Sequence, residues 1–173
     1  MHHLADLKVI FYFLFLAILD YSVLPAFRLG SVYPSFLYLF VCHAAFGWES
    51  KKTVPVAFWA GLLKDFLGGG VLGVQAGILV VFAILLDQVV RKIEREFPGI
   101  YFLLAFLFVF CCESLKLILG VFVGGLSGIS PGHFGVIFLM ALYTALLLPF
   151  FDVMTGSWFG RQVSSSRQYE LFR

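Results

Sequence analysis

Within the apolar run Ile100–Val123 stand a carboxylate and an ammonium three residues apart, Glu113 and Lys116. On a helix that spacing places both on one face, where they can pair. Ionisable side chains inside an apolar span are costly and mark functional sites unless they satisfy one another. Two readings therefore stand: a partner-docking or ion-pathway site, and a self-satisfied pair facing the bundle interior. The second constellation is Gly61–Gly77, GLLKDFLGGGVLGVQAG. Lys64 and Asp65 close one apolar run, and Gly68, Gly69 and Gly70 follow. Gly73 and Gly77 then repeat at intervals of four from Gly69. Read as a helix, Gly69, Gly73 and Gly77 form a smooth strip that lets another helix approach closely. Asp65 stands just before a turn that must be tight. A carboxylate there can accept the free N–H groups at the start of the next helix, as a latch. The other reading pairs it with Lys64 at the membrane interface.

What is missing narrows the chemistry. There is no G-x-S-x-G, no H-E-x-x-H and no P-loop. Gly68–Gly73 is glycine-rich but is not G-x-G-x-x-G. His43 beside Cys42 is a lone histidine, and His133 falls in a connecting loop. No two histidines have metal-ligand spacing, so neither a metal nor a cofactor is expected, and no residue is read as catalytic. The three cysteines, Cys42, Cys111 and Cys112, lie in apolar runs and read as buried thiols. Asp20, Asp87 and Asp152 read as helix ends near a membrane surface.

The elements that hold these residues follow from composition. Hydrophobic residues make up 61% and charged residues 13% of the 173, against about 45–50% and about 25% in soluble domains. A soluble chain of this size could not hide so much apolar surface. The reading is an all-α polytopic membrane protein with one six-helix transmembrane domain, residues 1–160, and a short basic cytoplasmic tail, 161–173. Six apolar runs appear, about Lys8–Leu24, Tyr33–Trp48, Val54–Leu67, Val71–Val90, Ile100–Val123 and Phe134–Phe151. The second and third are short for a bilayer of about 30 Å. Pro25, Gly30 and Pro34 separate the first two runs. Glu49–Lys52 and Pro55 separate the second from the third, and Pro98–Gly99 precede the fifth. The first run is longer than a signal-peptide core and reads as a retained helix.

Charge gives the orientation. With the N-terminus inside, nine of the twelve Lys and Arg fall on the inner side, among them Lys51, Lys52, Arg91, Lys92, Arg95 and Arg161. Arg28 and Lys64 fall outside, and Lys116 lies within a span. That asymmetry predicts six spans with both termini cytoplasmic. It also accounts for the scattered basic residues without nucleic acid. Leu63–Gly68, LKDFLG, and Leu115–Gly120, LKLILG, are alike. A diverged duplication and a coincidence of biased composition both account for this.

Six short spans, both ends inside and this length resemble the bacterial rod-shape-determining MreD family. The local match is Gly61-Leu-Leu-Lys-Asp65-Phe-Leu-Gly-Gly69-Gly-Val-Leu-Gly73, similar to the family's G-x-x-x-D-x-x-x-G-x-x-L-G between its third and fourth helices. Lys64 departs from that pattern and bears on whether Asp65 acts as a free carboxylate. The resemblance implies a non-enzymatic inner-membrane scaffold of the wall-elongation machinery. The partners it implies are an MreC-like bitopic protein, the actin-like MreB, a RodA-type glycosyltransferase and its transpeptidase. It also implies a fold similar to the substrate-binding components of energy-coupling-factor transporters. A small-molecule-binding subunit of a vitamin-type transporter is accordingly the alternative. Such a subunit needs polar side chains converging in its outer loops. Arg28, Tyr33, Ser127, Ser130 and His133 are a sparse set for that. It also needs small residues on a first helix that docks to a motor, and here the first run is bulky.

Overall fold

The computed structural model describes residues 2–22, 32–48, 50–68, 71–92, 98–124 and 131–159, and these are almost wholly helical. The elements are α1 (His2–Ser22), α2 (Phe36–Gly47), α3 (Ser50–Gly68), α4 (Val74–Lys92), α5 (Pro98–Gly124), α6 (Pro131–Leu146) and α7 (Leu148–Phe159). The last two form one rod bent at Leu147. Pro149 has no N–H to continue the ladder. The chain tightens there, with Leu147 N–H donating to the Thr144 carbonyl at 3.1 Å. Six rods result. Val74–Lys92, Gly99–Phe122 and Gly132–Thr155 are each long and apolar enough to cross a membrane. With the composition, this makes the chain an all-α membrane protein.

The break between α2 and α3 is shorter than the sequence implies. Glu49–Lys52 and Pro55 read as a linker, but α3 begins at Ser50 and carries Pro55 inside it. One missing N–H near a helix start removes a single bond, and Pro55 is exposed. The turn is held instead by Trp48 N–H on the Ala44 carbonyl at 2.9 Å. The Thr53 hydroxyl donates to that same carbonyl at 3.2 Å. With these residues α3 reaches 19 residues.

The twelve-residue α2 is the axis of the bundle. It touches every other helix, and eight of its residues are buried. Phe40 packs against Tyr12 and Phe13 of α1 and against Trp48. Against lipid, such packing holds helices by close van der Waals contact rather than by escape from water. Large exposed side chains such as Phe11, Trp59, Phe66 and Phe122 form the outer surface.

α1, α3 and α5 finish at one end of the bundle, where α2, α4 and α6 begin. We call this the capped end. His133, expected in a loop, lies in the first turns of α6 there. Gly69, Gly70, Arg28, Ser127, Ser130 and the tail 161–173 lie outside the described residues.

Candidate functional site

The amides of Gly73, Val74, Gln75 and Ala76 precede the first helical bond of α4 and must find other partners. Asp65, at the end of α3 and 6% exposed, supplies most of them. Its Oδ1 accepts the Gln75 N–H at 3.1 Å, and its Oδ2 accepts those of Gly73 at 2.8 Å and Ala76 at 3.3 Å. Val74 N–H turns back to the Val71 carbonyl at 3.3 Å, and Gly77 N–H makes the first helical bond to Gly73 at 2.9 Å. The helix start is fully satisfied. The carboxylate also lies where a helix favours negative charge.

The glycines of the motif divide differently from the strip expected on α4. Gly73 is not helical; it has φ +93° in the turn before α4. That conformation strains any residue with a Cβ. Gly77 is helical but exposed, and a Cβ there would meet nothing within 4 Å. The close approach lies on the other helix, at Gly61 of α3. A Cβ on Gly61 would stand 2.3 Å from the Ala76 Cα and 2.8 Å from the Gln75 carbonyl. So α3 and α4 touch backbone to backbone at Gly61, and the strip Gly73–Gly77 is not the seam. A four-residue spacing identifies one face of a helix. It does not say which face meets a neighbour.

Lys64 and Asp65 diverge. Successive residues on a helix point about 100° apart. Lys64 turns inward, donating to Ser35 Oγ at 2.8 Å and lying over the Tyr38 ring, 3.8 Å from its centroid. Ser35 Oγ donates in turn to Asp20 Oδ2 at 2.9 Å. Asp20 Oδ1 accepts the Phe36 N–H, the first of α2, at 2.6 Å. Asp20 at the end of α1 thus does for α2 what Asp65 does for α4. Ser35, at the N-cap position, makes no cap bond of its own.

Tyr38 joins this chain to a second one. Its hydroxyl donates to Glu113 Oε1 at 2.5 Å. The Tyr38 hydroxyl oxygen itself accepts from Gln75 Nε2. Gln75 is therefore bound to the Asp65 cap through its backbone and to Tyr38 through its side chain. Lys116 Nζ stands 3.9 Å from Glu113 Oε2. Glu113 and Lys116 share a face as their spacing predicts, but Glu113 has its hydrogen bond with α2, not with Lys116. One buried polar network, from Asp20 to Glu113, links α1, α2, α3, α4 and α5 at the capped end.

Sequence reasoning missed Ser35, Tyr38 and Gln75 as network members, and gave Asp20 no role beyond a helix end. Gln75 was approachable, since it lies two residues into a helix that a carboxylate caps. Tyr38 was not, being one of 7 tyrosines in an aromatic-rich chain.

The opposite end carries lighter polar contacts. His43 Nδ1 and Asp152 Oδ1 are 2.8 Å apart, joining α2 to α7, with Asp152 46% exposed. Arg91 donates twice to Asp87, at 2.9 Å each, one turn back on α4. Tyr12 and Thr155 share a hydrogen bond of 3.0 Å between α1 and α7. The described residues contain no group of three metal-ligating side chains.

No curated protein and no solved structure matches the chain. The likeness to energy-coupling-factor components therefore rests on the resemblance alone. The family model described as rod shape-determining protein MreD matches residues 1–155. That match takes in α1 to α6, most of α7, the Asp65 motif and the whole buried network. The chain belongs to the MreD family of rod shape-determining membrane proteins.

Proposed function

We propose that this protein is a non-enzymatic scaffold of the machinery that elongates the bacterial wall. It crosses the cytoplasmic membrane six times, with both termini in the cytoplasm and the capped end outward. It holds an MreC-like bitopic partner, and through that complex it stands beside an actin-like MreB, a RodA-type glycosyltransferase and its transpeptidase.

One observation carries this reading. The polar side chains at the capped end bind helix ends and one another: Asp20 to α2, Asp65 to α4, Tyr38 to Glu113 and Gln75. They fix the ends of the helices in relation to each other, as a docking platform requires. Among the described residues Gln75 Oε1 has no partner, but each carboxylate of the network is engaged, and shared hydrogen bonds of this kind favour one arrangement. The family match supports the same role.

The test is co-purification. The full chain and an MreC-like partner, expressed together and extracted in mild detergent, should leave a tagged affinity column as one complex. The purified chain alone should turn over no wall precursor. Absence of the complex, or reproducible turnover, overturns the proposal.

A further inference from the structure

The last turns of α5 present one exposed face. Deeper in, the helix buries Ala105, Phe108, Val109 and Cys112. From Glu113 to Phe122 no residue is fully buried, and Lys116, Gly120 and Phe122 are exposed. On this bare stretch sits one ammonium. The Lys116 side chain is 50% exposed and lies 3.9 Å from Glu113, beyond hydrogen-bond reach. Among the described residues its ammonium has no other partner. Its charge faces Glu113, but among the described residues its three N–H donors have no hydrogen-bond acceptor, which hydrocarbon makes costly.

Three observations say what covers it. The first is depth. Lys116 is eight residues before the end of α5, about 12 Å along the axis. Its side chain leans back one turn toward Glu113, away from the headgroups that a snorkelling lysine seeks. That posture suits an acceptor inside the membrane rather than a lipid phosphate. The second is the supply of carboxylates. Those described at this end, Asp20, Asp65 and Glu113, already hold Phe36, the start of α4 and Tyr38. Asp20 and Asp65 have both oxygens in use, and the second oxygen of Glu113 already faces Lys116 of its own chain, so a second copy brings no carboxylate without a partner of its own. The third is shape. Gly120 lies four residues on, on the same face, with open space where a Cβ would be. A foreign backbone can approach beside the ammonium there.

We infer that the stripe Glu113–Lys116–Gly120 on α5 docks a transmembrane helix of a different membrane protein, one that carries an aspartate or glutamate at the same depth. The foreign helix lies in the notch at Gly120, and its carboxylate pairs with Lys116. This rests on the partner-holding role proposed above and names its surface and its chemistry.

A photo-crosslinking residue tests it, introduced beside the notch as Leu119→benzoylphenylalanine into the full chain in its native membrane, with Val81→benzoylphenylalanine on the exposed face of α4 as control. The adduct at 119 should map to a transmembrane helix of another protein, within one turn of an aspartate or glutamate. Lys116→Glu should lower that adduct by about tenfold, and Lys116→Arg should keep it. Changing the mapped carboxylate to lysine should restore the adduct in the Lys116→Glu chain. An adduct with lipid only, with a second copy, or with a helix lacking an acid overturns the inference. So does an adduct unchanged by Lys116→Glu. If Lys116→Glu does not accumulate, the mapped position from the chain with native Lys116 decides. Co-purification of the MreC-like partner with only lipid at position 119 removes the surface and leaves the scaffold. An acid-bearing helix from some other protein, with no MreC-like complex, keeps the surface and removes that partner.

Discussion

The Lys64 ammonium lies 3.8 Å from the centroid of the Tyr38 ring and makes no ion pair with its sequence neighbour Asp65 among the described residues. This division lets one residue brace α2 while the next caps α4. It also makes Tyr38 bifunctional, with its face under a cation and its hydroxyl between Gln75 and Glu113. Tyr38→Phe keeps the ring and orphans two buried polar groups. The expected loss is about 1–3 kcal/mol. Tyr38→Leu loses the ring as well, for a further loss of about 0.5–2 kcal/mol. Thermal unfolding of the purified variants in detergent gives the order, and equal melting temperatures for Phe and wild type would remove the hydroxyl from the network.

Asp65 is asked for two acceptor oxygens, one for Gln75 and one for Gly73 and Ala76. Asn offers one oxygen and turns an amide N–H toward the remaining donors. Asp65→Asn should therefore fall between wild type and Asp65→Ala. The Ala variant should lose about 0.5–2 kcal/mol on the scale of helix caps. The same unfolding measurement checks the ranking. If Asn proves worse than Ala, the cap does not set the stability of this turn.

The two faces of the α3–α4 hairpin should answer one substitution in opposite ways. Gly61→Ala drives a methyl into the backbone of Ala76 and Gln75, where nothing yields cheaply. Overpacking of that kind costs about 1–3 kcal/mol. Gly77→Ala meets open space on a helix and should be neutral or gain up to about 1 kcal/mol. Comparable melting temperatures for the two variants would place the close approach elsewhere.

Carboxylates at the two ends should differ as their surroundings do. Asp20→Ala uncaps α2 and strips Ser35 of its acceptor, with an expected loss of about 1–3 kcal/mol. Asp152 is half-exposed and, among the described residues, binds His43 alone. Its replacement by Ala should cost no more than about 1 kcal/mol. Urea or thermal unfolding of the pair is the check, and a larger loss at Asp152 would reverse the assignment of the stabilising end.

Orientation is read from charge and tested by chemistry. In a chain freed of Cys42, Cys111 and Cys112, single cysteines at Ser127 and Ser165 should react with an impermeant thiol reagent from opposite sides of the membrane. Labelling of both from the same side rules out six spans.

Much of the fold is legible in the sequence because lipid imposes long apolar runs, and proline, glycine and charge punctuate them. The bonds from Asp65 to α4 are legible too, since a carboxylate before a glycine turn has few other donors to meet. The rest depends on pairs that only folding brings together. Tyr38 and Glu113 stand 75 residues apart, and His43 and Asp152 stand 109 apart. Gly61 looks like any motif glycine until Ala76 is placed against it. Pro55 misleads because one absent N–H near the start of a helix is cheaper than its reputation as a breaker.

The burial of α2 has a consequence for the membrane itself. Its twelve residues extend about 18 Å, well short of a hydrocarbon slab of about 30 Å. A helix that length facing lipid would have to pinch the bilayer around it. Ringed by the other rods, α2 meets protein on its sides, so hydrophobic mismatch is borne by its neighbours. Thickness sensing then belongs to α4, α5 and the bent α6–α7 rod. The chain can keep a lysine, a serine and a carboxylate at the mouth of α2, sunk below the level where those neighbours surface.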